Sequence, residues 1–477
     1  MNPCKPDQNP AGPWTPGAYF TLATLAFLAL MKYHGADYQN AFYTSLANPG
    51  AFANDIYLAG AIHEKATIFY DLAAFFRLPL ENDFVNFALY AAFAALAIVF
   101  SYKFFRRLQG AANPALALLA VLLSSFLVSK FIFASQPSVL ENVSSGPTMA
   151  AHALGFGVLY FLLARRIFAA SLLMALTFAF TIKGTFILLP AAVLYILLNK
   201  EIKNSGIVFL LIPTAYVLYK ATQSSLGSFS PEELSALTDI AMAREEEEGS
   251  FNYQTLSALF LFTATFAAFP LIIKRFKNVS LRALCWSFYI ATLGLFIGST
   301  LYTTIGYKIF PQPMLILIGA PRAVKFYTFL FSALSFVLIL RTDKLTWYEK
   351  IAAAFSFVLL KATPAGIALS AAVLFIGIGV PRTVKRFSGM DIADLPMVRI
   401  LAASLARAPL SVLMTWVLLA FVIVRAPVSY VGPLKFDPLA YRYYGIWSQR
   451  INADEDTWKA YKEIKSMAGD FVLIAYY

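Results

Sequence analysis

The sequence predicts an all-α, multi-pass membrane protein, and three observations carry that prediction. The 477 residues are 59% hydrophobic and only 13% charged, with a mean hydropathy of +0.67. A soluble domain is about one quarter charged. Many separate apolar runs approach or reach the roughly 18–20 residues that a helix needs to cross a bilayer. The loops between those runs alternate in charge along the chain. A membrane β-barrel would instead show short segments of alternating polarity.

Taken in order, residues 1–16 form a cytosolic N-terminal tail and 17–425 a polytopic membrane domain. About 13 spans are expected, at 17–33, 84–102, 115–133, 147–164, 167–182, 184–199, 205–220, 254–273, 283–303, 323–340, 349–362, 365–380 and 408–425. The pairs 167–182/184–199 and 349–362/365–380 read as tight hairpins. The first span is not read as a cleavable signal, because it lacks a clear basic leader and its apolar run is long enough to stay.

The net charge of +12 invites a nucleic-acid partner, but its placement argues against one. The bases cluster in short loops: Lys103 to Arg107, Arg165 and Arg166, Lys200 and Lys203, Lys274 to Lys277, "RTDK" and "PRTVKR". The alternate loops are longer and mostly acidic. Short basic loops stay in the cytosol. The N-terminus is therefore expected inside, the C-terminus outside, and the protein in the cytoplasmic (inner) membrane. Cys4 and Cys285 then both lie near the cytosolic face, and neither a disulfide nor a cysteine-built metal site is expected.

The outer loops carry the chemical interest. The first, 34–83, holds six acids against two bases. "ADYQNAFYTSLA" and "AGAIHEKATIFYDLAAFFRL" read as two amphipathic surface helices joined by the turn "NPGAFAND". The second, 221–253, has a helical middle opening at Ser230-Pro231-Glu232 and a solvated acidic run, Glu245 to Glu248. The short external tail, 426–477, reads as an amphipathic helix, "DEDTWKAYKEIKSM", and a strand, "DFVLIAYY", the opening of an α/β domain that is either cut short or docks its strand on a partner.

Asp55 and Asp37 each have two readings. One is a helix cap. The other is a carboxylate at the water–membrane boundary, acting as general base or metal ligand. Lys130, Lys183, Arg322, Lys325 and Lys361 fall near outer span ends, against the trend of the basic loops. Each either snorkels to headgroups or binds an anion, since boundary charges are functional candidates. Arg322 offers a planar fork for phosphate oxygens. Lys183 sits in "TIKGT", where Gly184 allows close approach. His63 and Glu64, in "IHEK", lack the second histidine of a zinc helix; they read as the polar face of a surface helix and are carried as substrate-binding candidates with Arg322, Lys183, Lys130 and Lys325. His152 reads as an interhelical histidine and His34 as interfacial. No transition-metal site, haem or nucleotide site is expected. "NVS" at Asn142 and at Asn278 is too common a pattern to indicate glycosylation.

The stretch "DYQNAFYTSLANPGAFANDIY" resembles bacterial families similar to the GT-C superfamily of membrane glycosyltransferases, where a "DY" element and a later "ND" element bracket the first outer loop. Asp37 and Asp55 are the matching positions. Loop 221–253 looks like the mobile substrate loop of that superfamily, and "LIGAPRAVKFYTFL" (317–330) is similar too. The resemblance implies a GT-C-like bundle with two surface helices in its first outer loop. It implies a polyprenyl-phosphate sugar as donor and transfer on the outer face to an acceptor that the sequence does not name. An acidic residue of the first outer loop then serves as base or metal ligand. Some members need a divalent cation, Mg or Mn, which Asp37 and Asp55 would hold, and others need none. Two other readings stay open. One is a transporter or lipid flippase, which repeated halves or charges deep in several spans would favour. The other is a non-catalytic GT-C-like assembly subunit, which the short tail suggests.

Overall fold

The computed structural model describes residues 83–109, 146–182, 184–223, 256–310, 320–342, 344–360 and 364–391, with isolated positions at 68, 72, 75, 76, 230, 232 and 394–397. Among the described residues every regular element is helical and there is no strand. The helices are α1 (Asp83–Gln109), α2 (Gly146–Leu163), α3 (Ile167–Phe180), α4 (Leu188–Leu198), α5 (Leu211–Gln223), α6 (Leu256–Lys274), α7 (Val279–Leu301), α8 (Ala320–Arg341), α9 (Trp347–Leu359), α10 (Pro364–Leu374) and α11 (Val380–Ser388). A 3-10 turn, Asn204–Leu210, leads into α5. Wider π-type turns extend α7 over Tyr302–Gly306 and join α10 to α11 over Phe375–Gly379.

Every predicted span from 147–164 to 220, and from 254 to 380, coincides with one of these helices to within several residues, as does 84–102. The surface helices of loop 34–83, the spans 17–33, 115–133 and 408–425, the body of loop 221–253 and the tail 426–477 lie outside the described residues. By length and composition, Val279–Ser299 and Pro364–Ser388 are each able to cross a membrane. Other helices, such as Ala150–Leu163, Ile167–Phe180 and Val324–Ile339, contribute shorter apolar lengths. This is compatible with a membrane protein.

Local chemistry explains the helix starts. Pro147, Pro190, Pro321 and Pro364 all fall in the first turn of α2, α4, α8 and α10. Proline costs little there because those N–H groups have no helical acceptor. Asn278 caps α7 by accepting the Leu281 N–H at 2.9 Å. The "NVS" at this site is thus a capping signal.

The helices pack in both directions. Phe93 and Phe100 of α1 meet Phe180 and Phe161, so α1 runs with α2 and against α3. Tyr195 of α4 donates its hydroxyl to the Leu162 carbonyl of α2 at 2.7 Å. Phe266 and Phe269 of α6 pack on Tyr327 of α8, and Phe357 of α9 packs on Phe331 and Phe336. Apolar residues fill this interior, and apolar residues also face out. In α3, Ser171 and Thr177 are buried while Phe168, Leu172 and Leu176 form an exposed stripe. A helix apolar all round suits a lipid neighbour.

Candidate functional site

Contacts between the loops define the two ends of the bundle. At one end, Arg165 pairs with Glu201 at 2.6 Å and donates through Nε to the Ser280 hydroxyl at 2.9 Å. The Asn199 amide donates to the same hydroxyl at 3.2 Å, and Ser280 donates its proton to Glu201 at 2.8 Å. One hydroxyl thereby uses its donor and both acceptor positions. It ties together the loops after α2, after α4 and before α7. At the same end Arg341 donates to the Leu108 carbonyl at 3.1 Å, satisfying one of the last carbonyls of α1. Arg382 binds Glu349 at 2.7 Å and the Lys344 carbonyl at 3.1 Å. Glu349 also accepts the Thr346 N–H at 2.8 Å, half of a capping box. Lys385 binds Asp391 at 2.7 Å. The described basic loops therefore share this basic end.

Among the described residues, a buried imidazole and a buried ammonium lie toward the opposite, far end. His152 is 1% exposed and Lys325 is 8% exposed. Phe156 of α2 packs against Phe329 of α8 with centroids 4.5 Å apart and the rings tilted by 58°. Phe326 reaches the His152 and Phe156 rings, each at 6.1 Å. The two helices run in the same direction. His152 lies four residues before Phe156, and Lys325 four before Phe329. Residues four apart share a helix face, so both stand one turn farther out than the ring pair. Lys325 is about 8 Å and His152 about 9 Å from their helix starts, at 1.5 Å per residue.

Two glycines permit this arrangement. A side chain on Gly155 would run into the Phe326 ring, so glycine lets α8 approach α2. Gly184, at φ 76°, turns the chain between α3 and α4, a conformation costly for other residues. The turn Gly184–Ile187 starts α4, whose Leu188 also approaches Gly155.

Of the residues singled out in the sequence, Lys325 is placed within this far-end cluster. Arg322 lies one turn before it in α8, though its side chain is outside the described residues, as are Asp37, Asp55, His63, Glu64, Lys130, Lys183 and Lys361. His152 is an interhelical histidine against an aromatic ring. The polar tie at Ser280 and the Glu349–Arg382 pair were missed by sequence reasoning. The Thr346-x-x-Glu349 spacing signals the second; nothing local signals the first. Among the described residues no group of three or more His, Cys, Asp or Glu side chains gathers to hold a metal.

No family model, curated protein or solved structure matches this chain.

Proposed function

We propose that this chain is a polytopic membrane protein that transfers a sugar from a polyprenyl-phosphate donor, in the manner of GT-C-like glycosyltransferases, at the far end of its bundle. The observation that carries the reading is Lys325, a buried lysine one turn beyond the Phe156–Phe329 pair, toward the end opposite the basic loops. A cation kept at such depth in a membrane bundle is a candidate for function. A donor phosphate is an anion suited to Lys325, with Arg322 one turn farther out. His152 supplies a second polar group on the neighbouring helix. Asp55, or Asp37, is the base that takes the acceptor's proton as the acceptor oxygen attacks the anomeric carbon. The donor phosphate leaves with the electron pair of the broken C–O bond.

The test is transfer of labelled sugar from a polyprenyl-phosphate donor by the reconstituted full chain. Asp55→Asn retains capping ability and removes the base, so the rate is expected to fall about 10²–10⁴-fold. Arg322→Lys is expected to weaken donor binding through loss of the fork. A wild-type rate in Asp55→Asn removes that residue from the chemistry. Absence of transfer from every polyprenyl-phosphate sugar tried contradicts the function itself.

A further inference from the structure

Helix α11 is the closing stretch of the long apolar helix Pro364–Ser388, at the basic end. Its two faces differ sharply. At 100° per residue, Arg382, Lys385 and Arg386 share one side, and Val380, Val384 and Phe387 the other. The basic side is fixed to the bundle through Glu349 and Asp391. The apolar side is turned away from those acids. Phe387 is 84% exposed, and the following segment shows Met390 exposed and Met397 at 84%. We infer that α11 and the segment through Met397 form an interfacial element that binds a leaflet carrying anionic phospholipid. Val380, Phe387, Met390 and Met397 enter the acyl boundary while Lys385 and Arg386 meet headgroup phosphates.

The inference rests on the membrane part of the proposed function and on none of its chemistry. An interfacial helix combines a basic face with an exposed apolar one. Charge complementarity selects the occupant, because a cytoplasmic leaflet is anionic and bases near its surface are attracted to it. The paired acids do not remove this attraction. Arg382 and Lys385 keep more than half of their side-chain surface exposed in their ion pairs, at 55% and 61%.

The experiment places the full chain in nanodiscs of phosphatidylcholine alone or mixed with phosphatidylglycerol. It follows amide hydrogen exchange of the peptide covering 380–397. Exchange is expected to be slower with phosphatidylglycerol. Arg386→Gln should weaken the apparent phosphatidylglycerol affinity roughly fivefold, the effect of one surface base. Phe387→Ser should raise exchange in both lipids. Equal exchange in the two discs, or no response to Arg386→Gln, overturns the inference while leaving the membrane reading intact. Lipid-independent protection in a dimer assigns the surface to a second copy and overturns it too. A chain that does not enter the discs at all contradicts the membrane reading, and this inference falls with it.

Discussion

Arg165 occupies a left-handed backbone conformation at φ 61°, a position where helices usually end on glycine. The Arg165 N–H bonds to the Leu162 carbonyl and the Arg166 N–H to the Phe161 carbonyl, the pairing of a Schellman cap. Keeping an arginine there costs roughly 1–2 kcal/mol in backbone energy, and its guanidinium offsets this by reaching Glu201 and Ser280. The pair is partly exposed and contributes at most about 1 kcal/mol, so the hydrogen bond to Ser280 supplies a similar share. Arg165→Gly should therefore leave stability nearly unchanged, because relief of strain offsets the lost contacts. Arg165→Ala loses the contacts and keeps the strain, and should be about 1–2 kcal/mol less stable than the glycine variant. Thermal unfolding of the detergent-solubilised pair decides the matter; equal stability refutes the strain argument. Lys325 makes a second residue-scale case. Lys325→Met keeps the side chain's bulk and removes its charge. If the lysine serves a donor phosphate, the variant should stay within about 1 kcal/mol of wild type in stability and bind donor at least tenfold more weakly. A loss of about 3–5 kcal/mol would mark a structural ion pair instead. The bases in "ARR" and the acid in "NKEIK" are visible in the sequence. Their convergence on Ser280, 79 residues beyond Glu201 in the chain, depends on packing that no local pattern encodes.

Helix existence was the most legible level, because apolar runs flanked by Pro, Gly and bases define their own limits. Their ends were less so. The helix predicted to stop at 380 continues to Ser388, since the π-type turn over Phe375–Gly379 passes the chain into α11 without a break. Nor does the sequence announce which interface a glycine serves. Gly155 and Gly157 look alike in "HALGFG", yet Gly155 faces the Phe326 ring of α8 while Gly157 faces Leu173 of α3 and Phe100 of α1. Gly155→Ala should cost about 1–3 kcal/mol, the usual range for overpacking a filled core. Adding Phe326→Leu should recover part of that loss, because it withdraws the atoms that the new methyl meets. Unfolding of the two single variants and the double variant checks this. Strict additivity would mean that Gly155 does not set the α2–α8 distance.

At the scale of the molecule, alternating charge in the loops anticipated a common end for the bases, and the contacts of Arg341, Arg165 and Arg382 bring described members of that set together. The candidate site was legible only in part. Lys325 stood out as a base out of place, whereas His152 read as ordinary packing, because its position one turn beyond the Phe156–Phe329 pair is a property of two helices and not of either alone. Asp37 and Asp55, which the resemblance makes central, lie outside the described residues. The account depends on the two bundle ends facing opposite sides of a bilayer, with the Lys325 end outside. Lys277 and Ile309 flank α7 and its extension, one at each end, and both are exposed, Ile309 at 79%. In a Cys4→Ser background, where Cys285 is buried, Lys277→Cys and Ile309→Cys can be treated in intact cells with a membrane-impermeant thiol reagent. Labelling at 309 in intact cells, and at 277 only after permeabilisation, is the predicted result; labelling at 277 with protection at 309, or equal labelling of both from one side, contradicts it.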